Sequence, residues 1–388
     1  MGLRARGHDV RVVTGLPNYP EGRLYPGYAR RGEVREVDGV AVRTVPMIVS
    51  HSRNPLGRIL NYVSFGLSSR RLVRNADRFD AVYVYAPQLT AAIGPRTWSR
   101  RYALPYVLHV QDVWPDSIVG SGMLGAWLGR GVGALLGPWI RSVYRSAGAV
   151  VAIAPSMAQL LVERGASADR TSHALNWSVN EEMSAEVAAA RTPQDRRTTV
   201  TFAGNLGEVQ ALDVLIRAAS RVRDVPGLVV EIVGSGVAEE RLRDLAQELG
   251  ADNVRFLGRV DAAGMRDVYL RSDFQLVSLA DLPLFRVTVP SKLAASLACG
   301  VPVVVAVAGD AGQLVRDGDC GLVVAPGDDD ALVEALRSAA RSTAEQRGSW
   351  GRNARQTYES KMSARAGIDT IEHALLKVLV HEHMESAR

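Results

Sequence analysis

The chain has 388 residues, 47% hydrophobic and 22% charged, which is a soluble globular composition long enough for two domains of about 150–200 residues each. It shows no signal-peptide pattern, no apolar run of transmembrane length and no low-complexity tract, and its two cysteines, Cys299 and Cys320, lack metal-ligand spacing and fit a reducing cytoplasm. The net charge of +5 is unevenly placed: residues 1–170 carry 22 Arg and Lys against 11 Asp and Glu, the remainder 24 against 30. With no aromatic–basic interleaving, the basic half points away from nucleic acid and toward an anionic membrane surface or a phosphate-linked acceptor.

In chain order, residues 3–7 read as the last turn of a helix closed by a Gly7 C-cap, and residues 10–14 as a buried strand. A domain that opens on a helix tail predicts a further segment in front of it. Pro17, Asn18, Tyr19, Pro20 and Glu21 then form a turn-rich loop at the C-terminal end of that strand, where open α/β sheets bind ligands. Residues 34–47 alternate as a hairpin about Asp38-Gly39. Residues 55–74 form a basic amphipathic helix, and 79–85 and 105–110 two strands. The second strand runs into His109-Val110-Gln111-Asp112-Val113-Trp114-Pro115-Asp116. Residues 124–146 are helical in pattern, with Trp127, Trp139 and several leucines against Arg130, Arg141 and Arg145; this reads as a core-facing helix or as an interfacial membrane face. A strand over 148–154 leads to Pro155-Ser156, a helix start. The first domain is drawn as 1–177 and the polar stretch 178–197 as a linker.

The second domain, 198–360, alternates strand and helix, and 361–388 is a C-terminal amphipathic helix returning to the first domain. Strands over 198–203, 228–233, 254–257 and 274–279 lead into Gly204-Asn205-Leu206-Gly207, Gly234-Ser235-Gly236, Gly258-Arg259-Val260 and the polar loop after 279, on one edge of a sheet. That loop carries Arg286, Ser291 and Lys292; a short helix, a β-branched strand over 301–307 and the Gly309-Asp310-Ala311-Gly312 turn come next. A glycine turn from strand to helix leaves N–H groups directed at whatever sits above the sheet, and the helix dipole favours an anion there. With the Lys292 ammonium nearby, the chemistry is that of a phosphate-bearing ligand. The same turn occurs in doubly wound proteins that bind nothing there, so the reading rests on the order of all the pieces.

That order resembles a known family: the family-4 retaining glycosyltransferases with two Rossmann-like domains, and within them the bacterial surface-polysaccharide, fucosamine-transferase-like branch. The resemblance is carried by RGHDVRVVTGLPNYPEG, VLHVQDVWPDS, AIAPSM, VTFAGNLGEVQALDVLIRAA, VGSG, FLGRV and VPSKLAASLACGVPVV with AGDAG, in family order over residues 1–330. It implies an α/β fold of GT-B type, two Rossmann-like domains facing each other across a cleft. It also implies transfer of a hexosyl or N-acetylhexosaminyl group, with retention, from a UDP-linked or other nucleotide-sugar donor to a glycan, lipid-linked or small-molecule acceptor. No cofactor or metal is expected, the nucleotide-sugar being a substrate. The location implied is cytoplasmic, peripheral on the inner face of the membrane.

Residue by residue, the resemblance assigns the donor to Gly204, Asn205, Gln210, Gly234, Gly258, Arg259, Val260, Arg286, Ser291, Lys292, Gly309, Asp310 and Ala311. Asn18, Tyr19 and Glu21 fall to the acceptor, His109 to a donor hydroxyl and Asp112 to orienting the acceptor. Asp112 and Asp116 serve equally as caps of a helix starting near Pro115. No close carboxylate pair of the glycosidase kind is present; the resemblance implies front-side transfer assisted by the donor's own phosphate. The chain departs from the broader family in three places. Val287 and Ala295 stand where two glutamates spaced eight apart touch donor sugar and ribose. Asn205 and Gln210 stand where Arg and Lys are usual, and the opening strand with its glycine-rich loop is absent before Met1. Separately, the common histidine position falls on Gln111. A non-catalytic partner subunit keeping the fold is therefore the alternative to an active transferase.

Overall fold

The computed structural model describes residues 1–18, 22–50, 55–71, 79–114, 126–193 and 197–386. After the single turn α1 (Gly2–Ala5), strand β1 (Arg11–Gly15) pairs in parallel with β3 (Val40–Val45), which is antiparallel to β2 (Val34–Val37). The β2–β3 hairpin is tight because Asp38 and Gly39 both hold positive φ, 50° and 75°, as a two-residue primed turn requires. The apolar run of β1 predicts a buried strand, and here the structure differs. In the order β1-β3-β2 it is an edge strand, so Val12 and Val13 stay 37% and 38% exposed.

A second, all-parallel sheet runs β4 (Val82–Ala86), β5 (Tyr106–Val110), β6 (Ala149–Ala152) and β7 (Thr171–His173). Helices α2 (Pro55–Ser69), α3 (Ile93–Tyr102), α4 (Ala126–Ser146) and α5 (Pro155–Glu163) connect and flank these strands. β5 is buried at every residue, as a central parallel strand must be. Residues 115–125 lie outside the described residues, and with them the helix start expected at Pro115 and Asp116.

Residues 178–197 are not a simple linker. Helix α6 (Glu181–Ala190) occupies the stretch, capped by Asn180, whose Oδ1 accepts the Met183 N–H at 3.0 Å. Its Val187 is fully buried with Tyr269, Cys299 and Val301, so one apolar position in a polar sequence fixes the helix to the core of the second domain. The polarity that suggested a linker belongs to its solvent side.

Six parallel strands come after α6, in the spatial order β10-β9-β8-β11-β12-β13: β8 (Thr198–Ala203), β9 (Leu228–Val233), β10 (Val254–Gly258), β11 (Phe274–Ser278), β12 (Val303–Ala306) and β13 (Gly321–Val323). Between them run α7 (Leu212–Ser220), α8 (Glu239–Glu248), α9 (Ala262–Arg271), α10 (Pro283–Arg286), α11 (Ser291–Ala298) and α12 (Asp310–Gly318), and after them α13 (Asp329–Arg341) and α14 (Ala344–Thr357). The order is that of the doubly wound dinucleotide-binding sheet, and it reverses between β8 and β11. The core on one face joins Val200, Phe202, Ile232 and Phe274 to Leu215, Leu242 and Leu336, all within 1% of full burial. Each such side chain contributes about 1.5–3 kcal/mol of burial free energy.

The last helix, α15 (Ala364–Ser386), is longer than its amphipathic stretch suggests. By contacts the chain divides into two compact units, Met1–Ala174 with Ile368–Arg388, and Leu175–Gly367. Ala374 and Val378 of α15 are buried against Val107, Ala149 and Val151 of β5 and β6. Glu372 pairs with Arg6 at 2.5 Å and with His8 at 2.7 Å, which fastens α1 to the same helix. Among the described residues no helix is long and apolar enough to cross a membrane.

Candidate functional site

Three glycines end the first three strands of the second unit, and their backbones are laced together. Gly204 (φ 149°) donates its N–H to Val233 O at 2.9 Å, and Gly234 (φ 139°) donates to Gly258 O at 2.8 Å. A Cβ on Gly234 would stand 1.8 Å from Gly204 O, so no other residue fits there. Leu206 closes the two loops: its N–H donates to Ser235 O at 3.0 Å and its carbonyl accepts from Ala238 at 2.9 Å. The result is a flat backbone shelf at the C-terminal edge beside the switch point.

Gln210 holds the far side of the first loop, its Oε1 accepting the Gly207 N–H at 3.0 Å. Asn205 is exposed, with its Nδ2 2.8 Å from where a Cβ on Gly207 would lie. Gln210 is thus a loop-shaping residue in this structure, and Asn205 is left with its amide on the open side.

Lys292, the second residue of α11, brings charge to the shelf. Its Nζ lies 3.9 Å from the centroid of the Phe202 ring and 3.1 Å from where a Cβ on Gly204 would be. Among the described residues no carboxylate pairs with it, and burial pushes its pKa down to about 8. A cation held on an aromatic face, half out of water and without a counter-charge, is poised for an anion. Phe202 escaped the sequence reading. Its position, two residues before the glycine on an inward-facing strand site, was the available signal.

The loop before α11 presses on the next turn. Gly309 (φ 77°) caps α12, and a Cβ there would meet Arg286 O at 1.8 Å. Ala311 is buried in the first turn of α12 and Asp310 is half-buried. Arg286 itself does not reach for a ligand: Asp281 accepts from it at 3.0 and 2.9 Å. Ser291 is exposed at the first position of α11, and Arg259 and Val260 follow β10 on the same sheet edge, Arg259 exposed. Ala295 packs against the Val187, Tyr269, Cys299 and Val301 cluster, where an apolar residue suits its neighbours.

In the first unit, His109 is not at an open strand end but 1% exposed within β5. Its Nδ1 meets the Tyr83 hydroxyl at 2.5 Å, and the rings of Tyr83 and Tyr85 lie 5.8 and 6.1 Å from it. Burial lowers its pKa to about 4, so it is neutral at ordinary pH. Its Nε2 is buried without a hydrogen-bond partner among the described residues, as is Nε2 of Gln111. Two orphaned polar atoms so close in sequence mark a place where a ligand or water is expected. Asp112 comes directly after, and burial raises its carboxyl to about 6. Asn18 spends its side-chain amide on Leu16 O at 2.7 Å, within its own loop; Tyr19 and Glu21 lie outside the described residues.

A doubly wound unit with a glycine shelf and an unpaired lysine at its switch point, joined to a second unit built on parallel strands, defines the GT-B class of glycosyltransferase. Residues 183–357 match the glycosyl transferases group 1 family and residues 1–177 the glycosyl transferase 4-like domain, and the chain belongs to this family of glycosyltransferases. Over 353 residues it is 31% identical to WcaI of Escherichia coli strain K12, provisionally assigned as a colanic acid biosynthesis glycosyl transferase, covering 87% of this chain and 85% of that one. Among solved structures, Anabaena Alr3699/HepE in complex with UDP is similar in fold at a TM-score of 0.62 and 18% identity, over 86% of each chain. Sucrose-phosphate synthase from Thermosynechococcus elongatus is similar at a TM-score of 0.66 and 16% identity, over 100% of this chain and 91% of that one.

Proposed function

We propose that this glycosyltransferase is a retaining enzyme that moves a sugar from a UDP-linked donor to a glycan, lipid-linked or natural-product acceptor in the making of a surface polysaccharide. The observation that carries the reading is the partnerless Lys292 ammonium beside the Gly204 backbone. The relative assigned to colanic acid biosynthesis and the fold neighbour holding UDP support it.

In this reading the diphosphate lies on the shelf of Gly204, Gly234 and Gly258, with Asn205 at its side. Gly309, Asp310 and Ala311 face the donor through the N-terminus of α12, Arg259 and Val260 border the base, and Ser291 stands beside Lys292. As the anomeric C–O bond to the diphosphate breaks, Lys292 compensates the charge that gathers on the leaving oxygens. The acceptor hydroxyl forms the new C–O bond from the same face, and its proton passes to the departing phosphate oxygen. His109 Nε2, neutral and unpartnered, hydrogen-bonds a hydroxyl of the transferred sugar, Asp112 orients the acceptor, and the loop with Asn18, Tyr19 and Glu21 contacts it. The enzyme is assigned to the bacterial fucosamine-transferase-like branch, acting in the cytoplasm and peripherally on an anionic membrane.

Calorimetric titration with UDP, GDP and their sugars tests this. UDP is expected to bind saturably, and Lys292→Ala to weaken it by about 1.5–3 kcal/mol, the range of a charge-assisted contact. Equal binding by wild type and Lys292→Ala would remove the donor site from this shelf.

A further inference from the structure

On α3, Ile93, Arg96, Thr97 and Arg100 recur at spacings of three and four and so share one stripe of the helix. With Arg70 just past α2 and Trp139 and Val143 of α4, that stripe lines a pocket of about 190 Å³ in the first unit. Three guanidiniums line it and, among the described residues, no carboxylate does. Its walls are fixed. Trp98 Nε1 donates to Arg70 O at 3.1 Å, and a Cβ on Gly94 would lie 2.3 Å from Ser69 Oγ, so α2 and α3 are in close contact. Arg96 donates through Nη2 to Ser142 Oγ, which joins α3 to α4.

Arg96 stands out among the three. Its Nε is buried without a hydrogen-bond partner, no ion pair reaches it among the described residues, and burial together with the neighbouring Arg100 charge lowers its pKa. Like charges four apart on one helix repel, and no carboxylate among the described residues pairs with Arg96 or Arg100. A guanidinium with a buried, unpartnered Nε, lining one pocket with two further cations, is the kind of group that receives a phosphate. We propose that Arg70, Arg96 and Arg100 bind a phosphate group, carried by a soluble phosphate compound or by the headgroup of an anionic lipid.

The volume fits the group. Pockets for drug-sized ligands run to about 300–1,000 Å³, so this one takes a phosphate and not a whole nucleotide. Leu135, 80% exposed and one turn before Trp139 on α4, adds exposed apolar surface to the helix that supplies Trp139, a feature that interfacial helices share. The site uses none of the donor residues, and its failure would leave the transferase reading untouched.

The full chain would be titrated with inorganic phosphate at low salt and sedimented with phosphatidylglycerol–phosphatidylcholine vesicles and with pure phosphatidylcholine vesicles. Arg96→Gln and the exposed Arg100→Gln are compared with Arg145→Gln, which removes an equal charge from α4 outside the pocket. Loss of binding by roughly tenfold or more in the first two, with Arg145→Gln near wild type, is expected for charge-assisted contacts. Vesicle binding that needs phosphatidylglycerol and falls in the pocket variants identifies a lipid headgroup; saturable phosphate binding without vesicle preference identifies a soluble ligand. Equal losses in all three variants, meaning general electrostatics, or no binding of either probe by folded wild-type protein, would overturn the site. Circular dichroism melts of each variant confirm that folding is intact.

Discussion

At Lys292, desolvation brings the pKa down to about 8, so protonation decides whether the side chain can hold a diphosphate. The charged form predominates below that value. UDP affinity is therefore expected to fall as pH rises through about 8, and calorimetry with Lys292→Arg, charged throughout, should show a flat profile over the same range. Asp112 has the opposite sign of problem. Its folded-state pKa, about 6, lies above the ordinary carboxylate value of 3.8, so the fold disfavours the ionised form. That cost is complete above about pH 6 and vanishes below the unfolded pKa of about 4. Asp112→Asn should therefore raise the stability at neutral pH by on the order of 1–2 kcal/mol, seen as a higher Tm, while lowering activity and removing its acid limb near pH 6. A variant with lower Tm and full activity would make Asp112 a structural residue. Of these features the residue types, and the place of Asp112 just past a strand, were legible in the sequence. The orphaned Nε2 of His109 was not, because burial on both faces of β5 depends on neighbours far along the chain.

Among elements, the glycine turns transferred from sequence to structure almost unchanged, since positive φ and close backbone approach are local demands that one residue type meets. Gly234→Ala puts a Cβ 1.8 Å from Gly204 O at φ 139°. It should cost at least about 1–3 kcal/mol of stability in thermal melts and abolish UDP binding. Helix α6 shows the reverse case. Its stretch reads as polar linker, but Tyr358, donating to Glu181 and accepting the Ser178 N–H at 3.1 Å, clamps both the helix and the segment before it. Tyr358→Phe leaves the buried Ser178 N–H without its partner and removes one of two donors to Glu181 Oε1, the Ala364 N–H remaining at 2.9 Å, and should cost about 1–3 kcal/mol in denaturant unfolding. A cost under a few tenths would show that the clamp contributes nothing. The short strands β7 and β13, three residues each, were below the length at which a period can be read.

For the molecule as a whole, the chain passes from the first unit to the second and ends in the first again. Val378 is 4% exposed, and Gly148 would place a Cβ 2.9 Å from its Cγ1. Val378→Asp buries a charge without a partner and should destabilise the first unit by about 3–5 kcal/mol. The second unit lies on the other side of the chain division, so UDP titration of the same variant should remain near wild type; its loss would mean that the two units fold as one.

The glycines, the lysine, the alternation of strands and helices and the hairpin at Asp38-Gly39 were readable from the sequence alone. Each is specified by backbone conformation or by periodicity over a few residues. Which strand ends in the middle of a sheet, that β1 is an edge, that Arg286 is neutralised by Asp281 and that Phe202 carries Lys292 depend instead on long-range pairing. Packing assigns neighbours, and a residue's charge state and exposure are properties of those neighbours rather than of the residue.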